Sequence, residues 1–187
     1  MIEAPLEVVM GRLVVRAALL LTLAGSARAA LDIGERAPQF TAPAAMAGKV
    51  YEFSLAESLK KGPVVLYFFQ AAYSVGCSLE AHNFAEASEQ FAALGASVVG
   101  VSADDIDTLS KFSVQACQNR FPVVSDEGEA VIKSFDAVMQ TRPEYANRIS
   151  YVIAPDGTIV FHYMNLNPNK HVEKTLGALR ELKAKGK

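Results

Sequence analysis

Residues 70–82 read QAAYSVGCSLEAH and hold Cys77, one of two cysteines in the chain. The stretch follows the apolar run VVLYFF and opens a run with helical spacing, so Cys77 falls where a strand hands over to a helix. A thiol in that place can act as a nucleophile, because unpaired N–H groups at a helix N-terminus favour the thiolate over the thiol. The competing reading is packing, since free cysteine commonly serves as a small buried hydrophobe. Metal binding is not indicated: the three histidines are scattered and no cysteine pair has ligand spacing. No cofactor motif is present, and none is expected.

The elements around Cys77 decide between nucleophile and filler. Residues 64–69, VVLYFF, form a β-branched and aromatic run bounded by Gly62-Pro63, which predicts a strand buried on both faces. From Cys77 to Leu94 the apolar residues Phe84, Ala87, Phe91 and Leu94 recur at three and four, predicting a helix with one buried stripe that Gly95 ends. SVVGVS at 97–102 is a second buried strand, and 104–118 a helix with Ile106, Leu109, Phe112 and Ala116 inward. FPVVSD is a short extended piece and EAVIKSF a short helix, followed by an irregular loop. RISYVIAPDGTIVFHY predicts two strands joined at Pro155-Asp156-Gly157, and a last helix spans about 170–184. Upstream, GERAPQFTAP is an extended lead-in, and GKVYEFSL a strand running into the helix SLAESLKK. Strands alternating with helices, then a hairpin and a closing helix, give a thioredoxin-like three-layer α/β sandwich with a mixed central sheet.

Length and composition suit one domain: 187 residues, 51% apolar and 20% charged. A net charge of −2 without a basic run of five argues against nucleic acid as partner. The first 29 residues differ from the rest. Arg12 and Arg16 precede AALLLTLA, and Ala27-Arg28-Ala29 resembles a cleavage site, so a secretory signal peptide over 1–29, with translation starting at Met10, is expected. The run is short of the roughly 20 apolar residues that span a bilayer, so no stable membrane association is expected once it is removed. The remaining domain covers 30–187, and the address implied is a bacterial periplasm, where a disulfide between Cys77 and Cys117 can persist.

On these landmarks the chain resembles the peroxiredoxins, in the bacterioferritin-comigratory (Q-type) branch of the thiol-specific antioxidant family. The family pattern P-x-x-x-T-x-x-C reads here Q-A-A-Y-S-V-G-C at 70–77. Glu80-Ala81, VVGVSADD at 98–105, FPVVSD at 121–126 and RISYVIAPDGTIV at 148–160 follow in the family's order. The resemblance implies a thiol-dependent peroxidase that reduces hydrogen peroxide and small organic hydroperoxides through a cysteine sulfenic acid, protecting against oxidative stress. Cys77 would be the peroxidatic nucleophile, Ser74 the hydrogen-bonding partner of the peroxide, and Arg148 the cation stabilising thiolate and peroxide, with Arg142 the competitor for that role.

The chemistry asks for such a cation: lowering a thiol's pKa by about 2 units takes roughly 2.7 kcal/mol of differential stabilisation. Gln70 stands where the family has proline. His82 stands where many relatives carry a second cysteine; on a helix it falls about 140° from Cys77, toward solvent. Cys117 is then the one resolving cysteine the chain offers, through a disulfide with Cys77; an inert half-buried thiol is the other reading. The implied partners are the hydroperoxide and a thioredoxin-like or small-thiol reductant, acting on a monomer or homodimer. The alternative function is a thioredoxin-fold thiol carrier or binding module without peroxidase activity. A C-x-x-C reductase is disfavoured, because position 80 is Glu80.

Overall fold

The structure, a computed structural model, describes residues 30–186. The expected signal peptide and its cleavage after Ala29 lie outside the described residues. Seven strands form one sheet in the order β2-β1-β5-β4-β3-β6-β7. They are β1 Thr41–Met46, β2 Lys49–Ser54, β3 Val64–Phe68, β4 Ser97–Ser102, β5 Val123–Ser125, β6 Ile149–Ile153 and β7 Ile159–Met164. The helices are α1 Leu55–Leu59, α2 Val75–Glu86, α3 Ser88–Ala93, α4 Ile106–Gln115, α5 Ala130–Ser134 and α6 His171–Lys185, the last preceded by a 3-10 turn at Pro168–Lys170.

The sheet is mixed because its connections differ in length. β3, β4 and β5 run parallel, each joined to the next through helices, whereas β6 pairs antiparallel with both β3 and β7. β3 is buried along its whole length and alternates between two cores. Leu66 and Phe68 face a cluster with Leu55, Ile132, Phe135 and Tyr151. Val65, Tyr67 and Phe69 face the other, with Phe84, Phe91, Phe112, Leu176 and both cysteines. Layers on both faces of a mixed sheet give the three-layer α/β sandwich expected from the order of elements.

Three local expectations need correction. The lead-in contains a strand, β1, paired antiparallel with β2 and β5; Pro43 and the alanines of TAPAAM hide it, being poor strand formers. The helix predicted over 77–94 is two helices meeting at Ala87, which keep the stripe Phe84, Ala87, Phe91 inward and so read as one. The helix predicted over 104–118 ends at Gln115, capped by Ala116, so Cys117 lies beyond it. Gln118 and Asn119 take left-handed backbone, φ 51° and 61°, a conformation that stops a helix.

Candidate active site

β3 delivers the chain to a tight turn over residues 69–74, and two contacts from the α4 side hold that turn. The Ala72 N–H donates to Asp104 Oδ2 at 2.7 Å, which also accepts from Ser102 Oγ at 2.8 Å. Tyr73 has φ 63° and sets its ring edge-on against Phe112, centroids 5.4 Å apart. Left-handed backbone in a tyrosine costs about 1–2 kcal/mol, and it persists because these contacts fix the turn. The turn leaves Ser74 extended as the N-cap of α2, its Oγ accepting the Cys77 N–H at 3.4 Å. Cys77 is thus the third residue of a 12-residue helix, inside the reach of its N-terminal dipole.

Cys77 is 1% exposed, and its sulfur faces Arg148, which precedes β6. Arg148 Nη2 donates to Cys77 Sγ at 3.3 Å and to Gln70 Oε1 at 2.7 Å; the Cys77 thiol donates to the same Oε1 at 3.4 Å. Arg148 Nη1 donates to Glu80 Oε2 and, at 3.5 Å, to the Gly76 carbonyl. Gly76 eases this approach, because a Cβ there would stand 3.0 Å from Arg148 Nη2 and press the guanidinium aside. Burial pulls the guanidinium's pKa down, but Glu80 and Cys77 together raise it above its ordinary value, so it stays charged.

Glu80, one helical turn from Cys77, is fully buried. Burial pushes its carboxyl up to about 8, against the opposing pull of Arg148. Its Oε1 lies 3.4 Å from Nδ1 of His171, itself fully buried at the start of α6.

Cys117 is also buried, in the same cluster as Cys77, and the two cysteines are free thiols. Burial alone raises the Cys117 pKa far above the thiol range. Tyr67 couples to both thiols, its own hydroxyl pushed well up first by burial.

Beside this cluster lies a cavity of about 180 Å³ lined by Gln70, Ala71, Ser74, Met139, Arg142 and Tyr145. The structure therefore brings Cys77 and Arg148 into contact and sets Ser74 between the sulfur's helix and the cavity. It keeps Arg142 at the cavity rim, stacked 4.4 Å over the Tyr145 ring. Cys117 is not bonded to Cys77. His82 is exposed, its Nδ1 2.7 Å from Gln118 Nε2. Sequence reasoning missed the roles of Glu80, Asp104 and His171. For Glu80 the three-residue spacing from Cys77 places both on one helix face and was a usable signal; for the other two only the fold brings them in.

Residues 33–162 match the AhpC/TSA family. Two chloroplastic peroxiredoxin Q proteins are similar: that of Sedum lineare is 34% identical over 66% of this chain and 67% of its own length. That of Populus jackii is 32% identical over 82% and 70%. The crystal structure of peroxidoxin BcpB from Mycobacterium tuberculosis superposes with a TM-score of 0.74 at 27% identity, covering 81% of this chain and 98% of that one. Xanthomonas campestris peroxiredoxin Q gives 0.65 at 25% identity, over 74% and 89%. The chain belongs to the AhpC/TSA family, in its Q-type peroxiredoxin branch. It has the thioredoxin-like fold and is a thiol-dependent peroxidase, an oxidoreductase that acts on hydroperoxides with thioredoxin-type reductants; the non-peroxidase alternative is not favoured.

The same matches correct one expectation. The peroxiredoxin Q proteins of Sedum and Populus are chloroplastic, so the bacterial periplasm does not stand as the address.

Proposed function

We propose that Cys77 is the peroxidatic nucleophile, activated by Arg148 and the N-terminus of α2. The observation that carries this is the 3.3 Å contact from Arg148 Nη2 to Cys77 Sγ at the third residue of that helix. The thiolate attacks one peroxide oxygen and forms the S–O bond as the O–O bond breaks, giving the sulfenic acid. The second oxygen leaves as alkoxide or hydroxide and takes up a proton to become alcohol or water. Arg148 stabilises the charge that moves from sulfur to oxygen, and the Ser74 hydroxyl, whose oxygen already accepts the Cys77 N–H, keeps its proton free to donate to the peroxide. The cavity beside Ser74 is where the peroxide's substituent sits, and its Met139, Ala71 and Tyr145 lining suits small alkyl groups.

For recycling, Cys117 resolves the sulfenic acid after its loop opens. In place it is buried and far above its ordinary pKa, a poor attacking thiol. Left-handed Gln118 and Asn119 store strain just beyond it, which lowers the cost of opening that turn. Condensation of the Cys77 sulfenic acid with the Cys117 thiol gives the disulfide and water, and an external thioredoxin-like dithiol reduces it. The chloroplastic relatives support a plastid as the compartment.

Reduced protein treated with one equivalent of hydrogen peroxide and mapped by peptide mass should give a 77–117 disulfide. Sulfenic acid that persists at Cys77 would overturn the Cys117 step and leave a one-cysteine cycle. Oxidation elsewhere, with Cys77 untouched, would overturn the nucleophile.

A further inference from the structure

The contacts of His171 fix its tautomer. Nε2 lies 2.9 Å from the Asn165 carbonyl, an acceptor only, so Nε2 carries a hydrogen and donates it. In the neutral ring Nδ1 is then a lone pair, and it accepts from Ser150 Oγ at 2.8 Å. Yet Nδ1 also faces Glu80 Oε1 at 3.4 Å, and that oxygen makes no hydrogen bond among the described residues. Both side chains are 0% exposed, so no bulk water separates them. A carboxylate lone pair and an imidazole lone pair repel when they face each other in a dry interior. One proton between Oε1 and Nδ1 removes the conflict.

We propose that His171 is a positioning residue for the peroxidase reaction: with Glu80 it holds one buried proton, and that proton leaves Arg148 with an uncompensated positive charge facing Cys77. Arg148, Glu80 and His171 together carry +1 with the proton and zero without it. Only the protonated cluster offers the Cys77 thiolate a net counter-charge; once Glu80 ionises, its own charge claims the guanidinium. His171 acts only through Glu80 and Arg148 and touches neither sulfur nor substrate. At neutral pH the proton sits on Glu80, since burial holds the carboxyl up at about 8 and the imidazole down at about 4.

The groups facing the pair are consistent with this charge count. They are Arg148 before β6, Cys77 on α2, Tyr67 on β3 and Tyr163 on β7, whose ring meets His171 edge-on at 4.9 Å. Arg148 and Tyr67 keep their protons, the guanidinium because its pKa stays above its ordinary value and the phenol because burial lifts it. The Lys170–Glu173 pair at the head of α6 is solvent-exposed.

The inference rests on Cys77 as the reactive thiol, and its test reads a pH limb rather than the presence of activity. The second-order rate of Cys77 oxidation by hydrogen peroxide, followed from pH 5 to pH 10 in the reduced Cys117→Ser protein, should fall on its alkaline side as the proton leaves Glu80. Glu80→Gln should abolish that limb. His171→Leu removes the acceptor of the Glu80 O–H, and should move the limb acid-ward by about one unit, tenfold in proton affinity. Ser150→Ala leaves Nδ1 to Glu80 alone and should move the limb the other way, in a variant that loses one hydroxyl. His171→Gln, whose amide oxygen can accept the same hydrogen bond, should restore the limb toward its original place. A rate lowered equally at every pH in His171→Leu, or an unmoved limb in Ser150→Ala, would overturn the proposal while leaving Cys77 as nucleophile. A Cys77 that does not react with peroxide at any pH would overturn the nucleophile itself.

Discussion

Cys77 and Cys117 sit in one apolar cluster and are hidden to the same degree, 1% and 0% exposed, yet their surroundings differ in kind. The Cys77 sulfur meets a guanidinium, a helix N-terminus and an amide oxygen. Cys117 follows the end of α4, where helix polarity disfavours an anion, and burial is the only cause acting on its pKa. Burial by itself raises a thiol's pKa, so depth does not mark a reactive cysteine. The difference lies in whether the same desolvation that penalises the anion also strengthens a fixed cation beside it.

The most severe way to break this contrast is to exchange the thiols' fates. Cys77→Ser should abolish peroxide-driven oxidation, whereas Cys117→Ser should form the Cys77 sulfenic acid at the wild-type rate in a single turnover and fail only in disulfide formation. Stopped-flow oxidation with trapping of the sulfenic acid measures both. Equal losses in the two variants would sink the assignment. Arg148→Lys comes next: it keeps a charge but loses the fork that spans Glu80, Gln70 and Cys77, so a fall of about 10²–10³ in the second-order rate is expected. A fall below threefold would mean that the α2 N-terminus alone activates the thiol.

Gly76→Ala sharpens the comparison without touching either charge. The added Cβ would press on Arg148 Nη2 at 3.0 Å, and the rate should drop by about tenfold. In the first turn of α2 the same change favours the helix by up to about 1 kcal/mol, so thermal unfolding should not move downward. A protein slowed and destabilised together would point to a general disturbance of α2 instead of a displaced guanidinium.

How much of this was legible in the sequence follows from what each feature depends on. The buried strands β3 and β4 and the β6–β7 hairpin announce themselves through local apolar runs and a Pro-Asp-Gly turn. β1 does not, since its pairing with β5 compensates for residues of low strand propensity. At the site, Cys77 and Arg148, the proposed nucleophile and its cation, were singled out through family resemblance and helix placement. The Glu80–His171 pair was not, because 91 positions of chain separate residues that only the packing of the 3-10 turn against α2 brings together. Asp104 was read only as part of VVGVSADD, a stretch that resembles the family, and its contact to Ala72 N–H needs the β3 and β4 ends side by side. The end of α4 before Cys117 was hidden by a stripe that continues through Ala116.

The smallest effect concerns Gln70. In place of the family's proline it puts a carbonyl oxygen within 3.4 Å of Cys77 Sγ and 2.7 Å of Arg148 Nη2. It therefore accepts a hydrogen bond from the thiol and another from the same guanidinium nitrogen that serves the sulfur. Both interactions compete with the contacts that activate the sulfur, while its Nε2 is buried with no hydrogen-bond partner among the described residues. Gln70→Ala removes the competing acceptor and the unpaired donor, and should raise the second-order rate of Cys77 oxidation by a few-fold. Alkylation of Cys77 by iodoacetamide, compared between the two proteins, reads this directly. A slower reaction in the variant at every pH would show that Gln70 instead holds Arg148 in position, and would place the amide with the cation rather than against it.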